Sequence, residues 1–312
     1  MIQVEEHGPI LAIRMARSFL GKPLAWATAY WVDGLLIDTG PACAARDLVR
    51  VLQKVHVNQI AITHTHEDNM GGLATVHAAF PHAQIYASAY ALTTLAQPDR
   101  LRLQWYRRLA WGLPQPVQDV IALDAVENSI RTPAYTLRAV ETPGHTPDHI
   151  SFYEAYQRWV FCGDAFTAGR IRTWAREADL FGVVSSLRTL ADLRPERLFP
   201  SGAAVRRTPL PDIHAQIGLY VQLARDVAKL EATGLSTPEI GQQLFAGEPR
   251  SPVWTESHLT VANLIDALRS YNALVEPYPY QTGTQAHTRK GHASPTQSPE
   301  DSTSSTDSSR TF

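Results

Sequence analysis

Residues 60–72 hold the side chains best suited to chemistry and read Ile-Ala-Ile-Thr-His-Thr-His-Glu-Asp-Asn-Met-Gly-Gly. His64 and His66 follow an apolar run, so a loop at the end of a buried strand could direct both imidazoles at one metal ion. Imidazole binds zinc or iron, and the carboxylate of Asp68 can serve the same ion or a neighbour. Because such a pair also occurs by chance, the assignment depends on further ligands.

Further candidate ligands lie at three other places in the chain. Residues 142–149 form a turn-rich stretch, Thr-Pro-Gly-His-Thr-Pro-Asp-His, that contains His145 and His149. Asp164 follows one apolar run, and Asp38 follows another. Four such segments in a fixed order are a more specific signal than the histidine pair alone.

The elements that must position these segments alternate between strands and helices. Apolar runs within residues 2–38 read as short strands, and Asp33-Gly34 is typical of a hairpin turn. Apolar residues at helical spacing follow over residues 48–55, and residues 59–62 read as the next strand. This alternation predicts layers of helices on sheets.

Composition bounds the class of protein and its location. The chain has 312 residues, is 44% hydrophobic and carries a net charge of −2, which gives no reason to expect a nucleic-acid partner. Its two cysteines cannot form a disulfide framework, and no secretory signal is visible, so we expect a cytoplasmic protein. No apolar run approaches the roughly 20 residues of a membrane span, so no membrane partner is expected.

The order of the four segments resembles the metallo-β-lactamase superfamily, whose pattern is Asp-x-Gly after a strand, HxHxDH, a Gly-His turn, and Gly-Asp after a later strand. The resemblance covers roughly residues 1–205. It implies an α/β (α+β) fold, the αββα metallo-β-lactamase sandwich, with a helical C-terminal extension. It also implies that His64, His66 and His145 hold a first metal ion and that Asp164 is the bridging carboxylate. Three imidazoles plus one oxygen position make an open tetrahedral site suited to catalytic zinc.

The sequence departs from that family pattern at the second metal position. Asn69 stands where the family has a histidine, and Ala203 stands where the late histidine is expected. Asp68 alone would then be a private ligand of a second ion. We therefore expect one ion, Zn²⁺ first, with iron or manganese as alternatives, and we expect Asp68 to orient water or accept its proton.

Supporting roles are predicted for residues around these ligands. Asp38 is expected to accept a hydrogen bond from a histidine N–H, which would fix the histidine tautomer. His149 could hydrogen-bond to the same group of ligands or only satisfy local backbone. Arg170 and Arg172 would favour an anionic small-molecule substrate if they face the cleft, and solvated surface arginines are the alternative.

The resemblance implies a metal-dependent hydrolase in which metal-bound hydroxide attacks an ester, thioester or phosphoester. A second hypothesis is a mononuclear iron oxidoreductase similar to persulfide dioxygenases, with His64, His145 and Asp164 as the iron ligands. A third is a degenerate, non-catalytic member kept for binding, which the two ligand substitutions motivate.

The chain divides by composition into a metallo-β-lactamase-like part at 1–205, a helical cap at 206–276 and a tail at 277–312. The cap could instead be winged-helix-like. The Ser/Thr/Pro-rich tail is predicted to be disordered. The aromatic and arginine-rich stretch at 89–113 predicts either a helix packed on the sheet or a lid, which could also form a homodimer surface.

Overall fold

Two β-sheets pack face to face at the centre of the structure, a computed structural model that describes residues 1–169, 171–248 and 255–275. The strands are β1 (Ile2–His7), β2 (Ile10–Met15), β3 (Ser18–Phe19), β4 (Lys22–Pro23), β5 (Ala27–Val32), β6 (Leu35–Ile37), β7 (Gln59–Ala61), β8 (Gln84–Ala87), β9 (Val120–Ala122), β10 (Ser129–Arg131), β11 (Thr136–Glu141), β12 (Ile150–Glu154), β13 (Trp159–Gly163), β14 (Trp174–Ala175), β15 (Arg197–Pro200) and β16 (Leu259–Thr260).

Helices cover the outer faces of both sheets. They are α1 (Ala45–Leu52), α2 (Glu67–Met70), α3 (Leu73–Ala79), α4 (Leu92–Ala96), α5 (Trp105–Trp111), α6 (Leu180–Asp192), α7 (Pro209–Ala232), α8 (Thr237–Phe245) and α9 (Val261–Val275). Within the described residues the first sheet has the order β1-β2-β5-β6-β7-β8-β9, and the second has the order β10-β11-β12-β13-β15. Strands β6 to β9 run parallel, so the loops after them meet at one edge of the sheet.

Aromatic side chains fill the space between the sheets. Phe161 and Phe199 stack with ring centroids 4.7 Å apart, and Tyr30 of the first sheet meets both rings edge-on. The Tyr30 hydroxyl donates to the carbonyl of Pro200 at 2.7 Å, so its polar end is satisfied inside the core. Burying one such ring contributes about 1.5–3 kcal/mol to the stability of the fold, relative to leaving it exposed. This packed layer supports the loops at the strand ends.

The two outer layers complete the predicted αββα sandwich. Leu48 of α1 and Val76 of α3 pack on the first sheet. Val184 of α6, Tyr220 of α7 and Leu264 of α9 belong to one buried cluster with residues of the second sheet. The predicted fold class is therefore confirmed.

The C-terminal helices lie against the same sheet as α6, in the shared core just described. The boundary at 205/206 and the choice between a cap and a winged-helix-like unit stay predictions. The tail predicted at 277–312 lies outside the described residues. No helix in the described part of the chain has both the length and the apolar character that crossing a membrane requires.

Candidate metal centre

The loop after β7 carries His64 and His66 at the edge where the parallel strands end. Asp38 follows the neighbouring strand β6 and reaches this loop. Its Oδ1 accepts a hydrogen bond from the Thr63 backbone N–H at 2.8 Å, and its Oδ2 accepts one from the Thr63 hydroxyl at 2.9 Å. Asp38 therefore acts through Thr63, whereas the sequence predicted a direct bond from a histidine.

Thr63 also sets the orientation of His64. The Thr63 Oγ1 lies 3.0 Å from His64 Nδ1. When Asp38 is ionised, the Thr63 hydroxyl donates to it and the Nδ1–H of His64 donates to Oγ1. The unprotonated Nε2 then lies 3.4 Å from Asn69 Nδ2 and offers its lone pair to a metal. Burial raises the pKa of Asp38 to about 8, against the opposing effect of the hydrogen bonds from Thr63.

His145 lies in the turn after β11, where Gly144 brings the chain against the start of α6. Gly144 has a φ of +127°, and a Cβ there would lie 2.1 Å from the backbone nitrogen of Val183. Only glycine fits this approach. The carbonyl of Gly144 accepts a hydrogen bond from the N–H of Asp179, the N-cap residue of α6, at 2.7 Å. The helix therefore fixes the position of His145.

Asp164 follows β13, and His149 holds its backbone. The Nε2 of His149 accepts from the Asp164 N–H at 3.1 Å, and its Nδ1 lies 2.8 Å from the Thr142 hydroxyl. A Cβ on Gly163 would lie 2.7 Å from that Nε2, and Gly163 has a φ of +49°. His149 thus positions Asp164 through the backbone.

Replacing Gly163 with alanine is expected to push His149 away from Asp164 and to press on Thr63, whose Oγ1 would lie 2.9 Å from the added Cβ. Loss of such an outer contact typically lowers metal affinity by about 10–100-fold, so zinc affinity should fall by that factor. Competition with a chromophoric chelator measures it. Gly218→Ala is the matched control, because nothing lies within 4 Å of the added Cβ, and an equal loss in both variants would contradict the role of His149.

Four ligand atoms converge in this part of the fold. One atom each from His64, His66, His145 and Asp164 lie within 4.8 Å of one another. His145 Nε2 is 2.9 Å from His66 Nδ1, and the Asp164 Oδ2 is 3.5 Å from His145 Nε2 and 3.6 Å from His64 Nε2. Ligands bonded tetrahedrally to zinc at about 2.0–2.1 Å stand about 3.3 Å apart, so this group fits a metal ion.

The protonation of the three histidines also suits a metal. Burial lowers the pKa of His64 and His66 well below the ordinary value, and it lowers the pKa of His145 as well. All three rings are therefore neutral at pH 7, and the neutral imidazole is the form that binds metals. His66 and His145 face each other through ring nitrogens, an arrangement that a shared cation would satisfy.

A hydrogen-bonded amide stands beside Asp164 at the predicted second metal position. The Ser201 hydroxyl donates to Asn69 Oδ1 at 2.5 Å, and Asn69 Nδ2 donates to Asp164 Oδ2 at 3.3 Å. A Cβ built on Gly202 would lie 3.8 Å from Asp164 Oδ1. The geometry therefore points to Gly202 as the late position, one residue before the expected Ala203.

Three predicted residues lie apart from this ligand group. Asp68 is the second residue of α2 and has a half-buried side chain, and its oxygens are not among the converging atoms. Burial and the charges of Asp164 and Glu67 raise the pKa of Asp68 well above its ordinary value. Arg172 donates to the carbonyl of Phe245 in the C-terminal helices at 2.9 Å. Arg170 lies outside the described residues.

Sequence reasoning missed several residues that hold the site. Asp148 Oδ2 accepts from the Thr65 N–H at 2.9 Å and so joins the His145 turn to the histidine loop. The fully buried Glu67 accepts two hydrogen bonds from Arg107 of α5, each at 2.6 Å. The aromatic and arginine-rich stretch was the only sequence signal for Arg107.

The relatives that match this chain align with only part of its length and with only part of their own. "Beta-lactamase-like protein 2 homolog" of Drosophila melanogaster is 27% identical over 190 residues, 59% of this chain and 59% of that protein. "Thioesterase pkgB" of Emericella nidulans is 28% identical over 56% of this chain and 44% of its own length. "Hydroxyacylglutathione hydrolase" of Tolumonas auensis is 26% identical over 55% and 58%. The chain thus spans less than two thirds of each of these relatives.

Solved structures have a similar fold, and a family profile matches the sequence. A β-lactamase domain protein from Burkholderia ambifaria has a TM-score of 0.67 at 17% identity, covering 87% of each chain. A Pseudomonas aeruginosa metallo-β-lactamase in a mono-zinc form has a TM-score of 0.54 at 19% identity, covering 69% of this chain and 94% of that one. The profile described as "Metallo-beta-lactamase superfamily" matches residues 27–202, more than half of the sequence. The chain belongs to the metallo-β-lactamase superfamily.

Proposed function

We propose that this protein is a metal-dependent hydrolase that cleaves thioesters or related esters and works with a single ion, zinc in the first instance. The observation that carries the proposal is the convergence of three neutral imidazoles and one carboxylate, from His64, His66, His145 and Asp164, within 4.8 Å. Three histidine ligands with a further position for water are the arrangement of hydrolytic zinc sites, and with Asp164 also bound the ion would take five ligands.

The relatives favour a thioester among the substrate classes. One is named a thioesterase and another a hydroxyacylglutathione hydrolase. Their names describe those proteins alone, and fold by itself does not determine substrate. A thioester is nevertheless the first substrate class to test, with oxygen esters and phosphodiesters beside it.

A bound ion would polarise the scissile carbonyl and lower the pKa of a water molecule beside it. The chain supplies the remaining functions. Asp68, two residues after His66 on α2, is the group assigned to accept the proton released from water. Asn69 donates to Asp164 at 3.3 Å and so holds the carboxylate in one orientation.

Single-ion binding is supported by what surrounds Asp164. The amide of Asn69 and the hydroxyl of Ser201 use their hydrogen bonds on each other, on Asp164 and on His64 Nε2. An amide oxygen is a weak ligand for zinc, and Gly202 offers no side chain. Only Asp68 would then be left as a private ligand for a second ion.

Rebuilding the second position is expected to raise zinc binding from about one ion per chain to about two, because two imidazoles complete a second ligand set. The variant is Asn69→His with Gly202→His, and zinc per chain is measured by elemental analysis after dialysis. Asn69→His with Ala203→His is the matched control, in which the stoichiometry stays at one. Two zinc ions in the unmodified protein would contradict the single-ion proposal.

Hydrolysis itself is tested with the full chain, stripped of metal and then loaded with Zn²⁺ or Mn²⁺. We expect thioester cleavage only in the loaded protein. Oxygen uptake with a persulfide and bound iron would instead support the oxidoreductase hypothesis. Equal signals from metal-loaded and metal-free protein on all substrate classes would end the proposal of a metal-dependent hydrolase.

A further inference from the structure

Arg107 of α5 has an unused donor beside the metal centre. Its Nε and Nη2 each donate to the buried Glu67 at 2.6 Å. Nη1 lies 3.9 Å from Glu177 Oε1, which is longer than a hydrogen bond. Within the described residues, the hydrogen bonds of Arg107 use Nε and Nη2 and not Nη1. One half of the guanidinium therefore fixes the loop, and the other half remains available for a ligand.

This donor lies close to the metal ligands. Glu67 is next to His66 in the chain, and the Glu67–Arg107 pair places the guanidinium over that segment. A substrate group bound to Nη1 would therefore lie beside the segment that carries His66.

His258 completes a pair of donors around one carboxylate. Its Nε2 lies 2.6 Å from Glu177 Oε1, and its Nδ1 lies 2.7 Å from the hydroxyl of Tyr106. Burial raises the pKa of Tyr106 to about 12, so that hydroxyl keeps its proton and can donate to Nδ1. His258 then presents an Nε2–H donor to Glu177, on the side of the carboxylate that Arg107 also approaches.

We propose that Arg107 Nη1 and His258 Nε2 form a binding subsite for a carboxylate carried by the substrate, and that Glu177 occupies this subsite in the free protein. The proposal rests on the proposed hydrolase function and deepens it. The substrate class becomes thioesters or esters that carry a second, free carboxylate. Arginine is suited to this role because its planar donors match a carboxylate.

The two carboxylates near Arg107 differ in how far they are exposed to solvent. Glu67 is fully buried and bonded through two nitrogens, so it is part of the scaffold. The side chain of Glu177 is 48% exposed and lies in the segment between β14 and α6. Burial alone would raise the pKa of Glu177, but the hydrogen bond from His258 holds that pKa below its ordinary value, so Glu177 stays an anion. An incoming carboxylate can replace it with like charge.

The test is binding of glutarate to the zinc-loaded full chain, measured by calorimetry, in Glu177→Ala beside the unmodified protein. If Glu177 fills the subsite nine-tenths of the time, its removal tightens glutarate binding about tenfold. Glu196→Ala is the matched control, since Glu196 pairs with Arg158 on the surface, and it leaves the affinity unchanged. Adding His258→Phe to Glu177→Ala abolishes the gain.

Three outcomes would overturn the subsite. They are unchanged glutarate affinity in Glu177→Ala, an equal gain for the neutral diamide glutaramide, and tighter binding of inorganic phosphate than of glutarate. Binding is read without turnover, so it separates the two proposals. A tenfold gain in glutarate affinity in a protein without hydrolase activity would support the subsite and contradict the hydrolase proposal. Metal-dependent hydrolysis without any change in glutarate affinity would support the hydrolase and contradict the subsite.

Discussion

Replacing His64 with alanine is expected to abolish metal-dependent hydrolysis, with zinc affinity falling by more than the roughly 100-fold that loss of an outer contact costs. His64 is 1% exposed, and its Nε2 is oriented toward Asp164 through the hydrogen bond to Thr63. Removing the ring deletes one of three neutral nitrogen ligands. Zinc content after dialysis and the thioesterase rate are the two measurements.

His82→Ala is the control for that experiment. His82 is exposed, follows α3 and lies outside the ligand group, so both measurements should stay unchanged. The two variants each remove one imidazole, which separates the site from non-specific zinc binding by surface histidines. Retention of zinc and activity in His64→Ala would contradict the ligand assignment.

Breaking the Glu67–Arg107 ion pair is expected to cause a large loss of unfolding free energy. Removing one partner of a buried pair leaves an uncompensated charge and costs about 3–5 kcal/mol of unfolding free energy. Glu67 is fully buried, and the side chain of Arg107 is 12% exposed. Glu67→Leu should therefore destabilise the protein by about that amount, measured by urea unfolding of metal-free protein so that zinc binding does not contribute.

The pair can be tested against a double replacement and against an exposed pair. Glu67→Leu with Arg107→Met removes both charges and should recover most of the lost stability. Glu196→Ala removes one partner of the exposed pair with Arg158 and should cost less than about 1 kcal/mol. Similar losses of unfolding free energy in Glu67→Leu and Glu196→Ala would show that the buried pair stabilises the protein no more than the exposed pair does.

The metal ligands could be predicted from sequence because each follows directly from a strand. Apolar runs end just before Asp38, the His64 loop and Asp164, and the structure places strands there. The parallel strands β6 and β7 bring Asp38 and the histidine loop to one edge of the first sheet, and His145 and Asp164 come from the second sheet, after β11 and β13. The αββα fold followed from the same ordered segments.

The contacts that orient the ligands could not be predicted in the same way. The hydroxyl of Thr63 stands between His64 and Asp38, and no pattern distinguishes it from other threonines. The geometry points to Gly202 rather than Ala203 as the late position, because a Cβ built on Gly202 would lie 3.8 Å from Asp164 Oδ1. Such a shift depends on backbone geometry that spacing does not encode.

Arginine roles were the hardest to infer. Arg172 was predicted to bind substrate, but its guanidinium donates to the carbonyl of Phe245. Arg107 was one of several arginines in the aromatic stretch, and its partner Glu67 is 40 residues away in the chain. Charge pairing across that separation is visible only once α5 is placed against α2. Substrate binding by Arg172 stays a prediction, and the subsite at Arg107 is our proposal.

The most direct test of the account is zinc X-ray absorption spectroscopy on the reconstituted full chain. We expect one zinc ion per chain, bonded to three imidazole nitrogens and to oxygen, with no second metal within about 4 Å. His64→Ala should lose one of the nitrogen contributions. A protein that retains no zinc, or a spectrum that shows a metal–metal distance, would contradict the claim that His64, His66, His145 and Asp164 hold a single ion.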